Sequence, residues 1–233
     1  MIKFIKNIIL MIILIALSVI ALFTYNGYKL YEEAINEMSI QDKINEIKKE
    51  AKNYTKFDEL PKDYINAIVA VEDKRFYLHK GVDPISIFRA IITDIKTMSF
   101  AEGGSTITQQ LAKNTYFTQK KEITRKVAEV FMAMEFEKQC SKEEILELYV
   151  NTMYFGDGYY NVHDACKGYF DKEVNQMNRY ESTLLAGIPN APSVYAPTKN
   201  PELAKQRQAQ VLNKMVEAGY LSKKEAESVK ENK

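Results

Sequence analysis

Tryptophan is absent from this chain of 233 residues, cysteine and histidine occur only twice each, and 32 basic side chains face 31 acidic ones. The near balance of charge, a formal +1, removes any bulk electrostatic case for nucleic acid as a partner. Cys140 and Cys166 make no metal-type cluster, and nothing in their spacing requires a disulfide, so two free, packed thiols are expected. Alternating strand patterns and internal repeats are also missing, which leaves a mostly α fold as the expectation. The length suits one domain, or two lobes, with a real core.

The exception to the lack of long apolar runs lies at the start. From Ile8 to Phe23 there is no charge and Ser18 alone is polar. With Phe4 and Ile5 the run approaches the roughly 20 residues that span a bilayer. Lys3 and Lys6 precede it, so the positive-inside rule leaves the N-terminus in the cytoplasm and sends the remainder outside. The run is long for a cleaved signal peptide and no clear A-x-A site follows it, so residues 1–25 read as an uncleaved plasma-membrane anchor. Residues 26–56 are charged and helix-prone with sparse apolar positions, and read as a helical stalk. The catalytic domain is expected over 57–233.

After Pro61, the residues Ile65, Ile68 and Val69 recur at helical spacing, and Glu72 falls at i+7 from Ile65 on the same stripe. A carboxylate there is either paired in the core, with Arg75 as a mate, or lines a cleft. Desolvation raises its proton affinity in both cases, as a general base requires. In the turn HKGVDP, Asp83 can cap a helix opened by Pro84, which carries Arg89 beside its apolar stripe. Next comes GGSTITQQLAKN, Gly103 to Asn114. Its glycines allow close backbone approach, and Ser105, Thr106, Gln109, Gln110 and Lys113 suit phosphate oxygens, although a polar loop entering a helix fits the same letters. Lys120, Lys121, Arg125 and Lys126 follow against Glu122. The helix of residues 123–139 is apolar on almost every side, hence central, and places Arg125 and Glu129 on one face. A helix over 142–155, the turn YFGDGYY, two further helices with a proline-rich loop, and a polar helix pair from Pro201 complete the chain. A desolvated carboxylate, a second one on a cationic helix, and a phosphate-suited loop together point to sugar transfer from a phosphate-activated donor. Cleavage of a neutral acetal would not need the cations.

VEDKRFYLHKGVD, GGSTITQQLAKN, RKVAEVFMAMEFEKQCSKEEILELYVNTMYFG and STLLAGIPNAPSVYAP resemble, in order and spacing, the motif blocks of the bacterial peptidoglycan glycosyltransferases, over roughly Phe57 to Tyr220. No serine begins an S-x-x-K, so the resemblance is to the monofunctional members. It implies a lysozyme-like, two-lobed fold with a membrane-dipping jaw, to which Met98, Phe100, Tyr116 and Phe117 would belong. The implied reaction joins lipid II to a growing glycan chain through β-1,4 bonds and releases undecaprenyl pyrophosphate. By motif match, Glu72 is the base and Glu129 the second carboxylate. Lys113 and Arg125 are the pyrophosphate cations, with Ser105, Gln109 and Gln110 as supporting contacts. Arg89 lines the cleft, Lys121 stands where other members carry arginine, and Asp73, Phe76 and His79 build the surround of the base. No cofactor is required and no metal cage is seen, although Mg2+ or Mn2+ stimulates some members. The implied partners are lipid II, the glycan chain, the bilayer and other wall-synthesis proteins such as transpeptidases. The competing readings are a glycan-cleaving lytic enzyme of the same fold and a non-catalytic membrane-anchored scaffold.

Overall fold

The computed structural model describes residues 2–97, 103–117 and 122–231. Among these residues there is no strand, in line with the sequence. The helices are α1 (Ile2–Glu37), α2 (Ile40–Glu50), α3 (Lys62–Glu72), α4 (Pro84–Thr97), α5 (Ile107–Tyr116), α6 (Ile123–Gln139), α7 (Lys142–Asn151), α8 (Val162–Phe170), α9 (Arg179–Gly187), α10 (Pro192–Tyr195), α11 (Pro201–Glu217) and α12 (Lys223–Glu231). The expected helix over 142–155 therefore ends early, at Asn151.

Most of α1 is long and apolar enough to cross a membrane, and its apolar window is fully exposed. The hydroxyl of Ser18 donates to the Leu14 carbonyl at 2.8 Å, so the one polar side chain of the run is satisfied within the helix. Beyond the run, α1 lies against α6. A Cβ on Gly27 would stand 2.5 Å from Val127 Cβ, so the crossing is as close as glycine allows. Tyr28 and Tyr31 meet the Phe131 ring at 5.3 and 5.9 Å. Ser39 caps α2, and Ile40 and Ile44 of that helix are buried in the core. Residues 26–50 are thus helical apart from the break at 38–39, residues 51–56 are not, and the segment does not stand clear as a stalk. Their apolar side chains gain more from the domain surface than from water.

The core that positions the site is built where α3 packs on α9 and α11, and where α5 is held between α6 and α7. Tyr64, Phe76, Leu111, Met132, Phe136, Leu148 and Leu185 fill it. α6 is central, as its all-round apolar pattern predicts. Cys140 and Cys166 are buried free thiols, as expected, and burial pushes each up to about 12.

Two glycines fix the approach to α5. Gly81 sits at φ +89°, with Ala133 O 2.8 Å from where a Cβ would be, and its carbonyl accepts from Thr106 Oγ1 at 2.6 Å. Gly104 lets its strand of backbone pass α4, since a Cβ would come 3.2 Å from Ala90 Cβ. The expected closeness of backbone to ligand is thus, at Gly104, closeness of backbone to helix.

Candidate active site

Glu72 is the last residue of α3, where the core helix surfaces beside α5, α7 and α11. Its side chain is 12% exposed. Gln110 Nε2 on α5 donates to Oε2 at 2.7 Å. Oε1 is buried with no hydrogen-bond partner among the described residues, and Arg207 Nη2 stands 4.0 Å away. Burial raises the proton affinity of this carboxylate above the ordinary range. The Gln110 hydrogen bond and the Arg207 charge oppose the rise, Asp73 adds to it, and Lys113 opposes it more weakly. A buried oxygen with a raised proton affinity and an unused lone pair is what a general base needs.

The next residue faces the other way. Asp73 holds its two oxygens 3.0 and 2.9 Å from His79 Nε2 and accepts from Ile107 N–H at 3.1 Å, which sets a carboxylate on the N-terminus of α5. Thr106 and Gln109 close a capping box at that terminus. Phe76 is fully buried, edge-on to His79, and Lys142 Nζ lies 4.3 Å from its ring centre. Lys142 also donates to the His79 carbonyl at 2.8 Å. Asp73, Phe76 and His79 therefore form a frame that orients α5 against the end of α3.

Glu129, 1% exposed on α6, is paired with Arg125 through Oε1 and with Lys126 through Oε2 at 2.8 Å. Lys126 in turn donates to Ser105 Oγ at 2.6 Å, tying the glycine loop to α6. Lys113, on α5, joins the two halves. Burial lowers its proton affinity, Glu129 restores it, Lys126 and Arg125 lower it further, and Glu72 restores it. One ammonium thus feels both carboxylates, and among the described residues no carboxylate is paired with it. The arrangement can accept a proton at one end and neutralise an anion at the other.

The family model described as transglycosylase matches residues 40–216. The chain belongs to the transglycosylase family. Penicillin-binding protein 1F of Bacillus subtilis is 44% identical over 185 residues, 79% of this chain and 26% of its own length. Penicillin-binding protein 1A of Aquifex aeolicus is 42% identical over 174 residues, 75% of this chain and 24% of its own. The chain thus spans about a quarter of the length of those relatives. A Cupriavidus necator protein named "Putative transglycosylase H16_A0665" is 42% identical over 173 residues, 74% of both chains. Among solved structures, penicillin-binding protein 1A from Haemophilus influenzae aligns at 22% identity and a TM-score of 0.47 over 78% of this chain and 17% of its own, a likeness too slight to build on.

Several expected side chains have other tasks in the structure. Arg75 is not the mate of Glu72. It forms a two-pronged pair with Asp83 at 2.6 and 3.0 Å, because the turn HKGVDP brings Asp83 back to it. Gln109, expected at phosphate, is 2% exposed and spent on the Thr106 N–H at 3.0 Å. Arg89 is exposed on α4 and donates to Ser86 Oγ at 3.3 Å. Tyr116 and Phe117 are half-buried against the core, with Tyr116 Oη donating to the Met38 carbonyl at 3.2 Å, so they are not free membrane-facing tips. Lys120, Lys121, Met98 and Phe100 lie outside the described residues. Lys126, Tyr149 and Arg207 enter the site without having been singled out for it. The first was visible in the cation run, whereas the other two come from helices far along the chain. Among the described residues, no group of three or more His, Cys, Asp or Glu side chains could hold a metal ion. A groove of about 330 Å3 lined by Lys52, Tyr54, Glu59, His163 and Glu173 contains none of the site residues.

Proposed function

We propose that the chain is an inverting glycosyltransferase that polymerises lipid II into β-1,4 glycan strands of peptidoglycan and releases undecaprenyl pyrophosphate. The observation that carries the reading is the buried Oε1 of Glu72, without a hydrogen-bond partner among the described residues, in the electrostatic field of Lys113, which also feels the Glu129–Arg125–Lys126 cluster. Glu72 takes the proton from the 4-hydroxyl of the acceptor sugar. The freed oxygen attacks the anomeric carbon of the donor, the bond to the pyrophosphate breaks on the opposite face, and the α linkage becomes β. The leaving diphosphate departs with the bonding electron pair, and Lys113, Arg125 and Lys126 offset its charge. Glu129 holds the latter two cations in place. No cofactor enters these steps, and a divalent cation such as Mg2+ or Mn2+ would act by screening the diphosphate.

Residues 1–25 serve in this reading as the anchor, with the N-terminus in the cytoplasm and the domain outside. Both lipid-linked substrates then reach the cleft from the bilayer. Transpeptidases are natural partners, since a strand made here still needs cross-linking. A lytic enzyme has less use for the cations, because the acetal it cuts is neutral. Labelled lipid II incubated with the purified full chain is expected to give ladders of glycan that lysozyme digests. Clearing of a cell-wall suspension in the absence of lipid II, with no ladder from lipid II, would overturn the reading in favour of cleavage.

A further inference from the structure

Among the described residues, Glu72 receives its one side-chain hydrogen bond from an amide, and an amide is ambiguous. Gln110 carries a donor end and an acceptor end of the same shape, and either could face the carboxylate. An ionised carboxylate accepts only, so it is served by Nε2 and repelled by Oε1. The structure places a hydroxyl at the other end of the amide. Tyr149, on α7, is 1% exposed, and its hydroxyl donates to Gln110 Oε1 at 3.2 Å, while Gln110 Nε2 donates to Glu72 Oε2 at 2.7 Å. The three residues come from three helices, α7, α5 and α3, and the chain of donors runs one way.

We infer that Tyr149 is a positioning residue for the base: by donating to Gln110 Oε1 it fixes the amide with its N–H toward Glu72. The inference rests on the assignment of Glu72 as the base. Burial, with Glu72, Tyr64 and Asp73 nearby, holds the Tyr149 hydroxyl protonated, so it keeps donating while Glu72 is ionised. With the amide fixed, Oε2 is occupied and Oε1 is left as the proton acceptor. Without the hydroxyl, Gln110 Oε1 becomes a buried acceptor without a donor, and the amide can turn that oxygen toward the carboxylate. The turned amide disfavours the ionised base.

Tyr64 provides the control. It is also fully buried and close enough to influence Tyr149, but its hydroxyl has no hydrogen-bond partner among the described residues. The other groups facing Glu72, namely Arg207, Asp73 and Lys113, are unchanged in every variant. The experiment titrates the Glu72 carboxyl by 13C NMR in the full chain in detergent, with Glu72→Gln to assign the signal, and repeats it in Tyr149→Phe, Tyr64→Phe and Gln110→Met. The expected result is an upward shift of the midpoint in Tyr149→Phe and in Gln110→Met, and none in Tyr64→Phe. Turnover of lipid II by Tyr149→Phe should fall about fivefold on the acid side and recover as pH rises, the size set by one neutral hydrogen bond. A Glu72 midpoint in Tyr149→Phe that coincides with the parent overturns the positioning role, and so does an equal shift in Tyr64→Phe. If Tyr149→Phe does not fold, an unmoved midpoint in Gln110→Met overturns it instead. The carboxyl titration reads the relay whether or not the chain polymerises lipid II, so failure of the functional reading shows separately, as a parent without ladders.

Discussion

Ionised Glu72 opposes folding, because its buried Oε1 gives up water without gaining a hydrogen bond among the described residues. A carboxylate whose proton affinity is raised on folding stabilises the fold below its ordinary pKa of 4.5 and loses that contribution as pH rises. Glu72→Gln should therefore be inactive yet more stable than the parent at pH 7. Each kcal/mol recovered adds about 2–4 °C to Tm for a domain of this size. The advantage should fade as pH falls toward 4.5. Thermal melts of the two proteins at pH 7 and near pH 4.5 check this, and a variant less stable at pH 7 would contradict it. At this scale the sequence is informative where chemistry is local. Glu72 is visible because a carboxylate on the Ile65 stripe has no place in an apolar core. The task of Gln109 is also written locally, in the Thr106-x-x-Gln109 spacing of a capping box, but the same letters suit a phosphate loop. Tyr149 and Arg207 reach Glu72 from α7 and α11, and no periodicity within either helix announces a partner on α3 or α5.

Asp83 shows how single helices are held at the angles the site needs. It accepts from the Ile85 and Ser86 N–H groups at 3.1 and 3.2 Å and so caps α4, while binding Arg75 with both oxygens. Burial works to raise its pKa, but the bonds from Arg75 and Ser86 outweigh it and hold the carboxyl at about 2, against an ordinary 3.8. A depressed carboxyl stabilises the fold above its ordinary pKa, and the contribution is lost as pH falls from about 3.8 to about 2. Asp83→Asn should lose about 1–3 kcal/mol at neutral pH and show a flatter decline across that acid range than the parent. Urea titrations at pH 7, 4 and 2.5 would test this, and parallel declines of parent and variant would count against the clamp. The cap was legible, since Asp83 before Pro84 is a helix start. The Arg75 pairing was not, because the turn that closes it depends on Gly81 at positive φ against α6. The helices themselves were largely readable from periodicity. The docking of α2 was also present in the spacing of Ile40, Ile44 and Ile47, but charged neighbours masked it.

For the molecule as a whole, α1 continues from its exposed apolar run onto α6, the helix that carries Arg125 and Glu129. The anchor and the site are therefore joined through one close crossing at Gly27 rather than through a free stalk. Orientation across the membrane can be read chemically, because both native thiols are buried and poorly ionised and will not compete with an introduced one. In intact cells a membrane-impermeant maleimide should label Leu78→Cys, at a position 81% exposed in the domain, and should leave Lys3→Cys unlabelled. The reverse pattern would place the domain in the cytoplasm.

In the proposed reaction Glu72 is the group that removes the acceptor proton. The most direct measurement is the single-turnover rate of lipid II coupling by the full chain and by Glu72→Gln, at saturating substrate and near pH 7.5. General-base catalysis contributes about 10²–10⁴-fold, so the variant is predicted to be slower by at least about a hundredfold with its fold intact. A Glu72→Gln protein that couples lipid II at the parent rate would contradict the central claim.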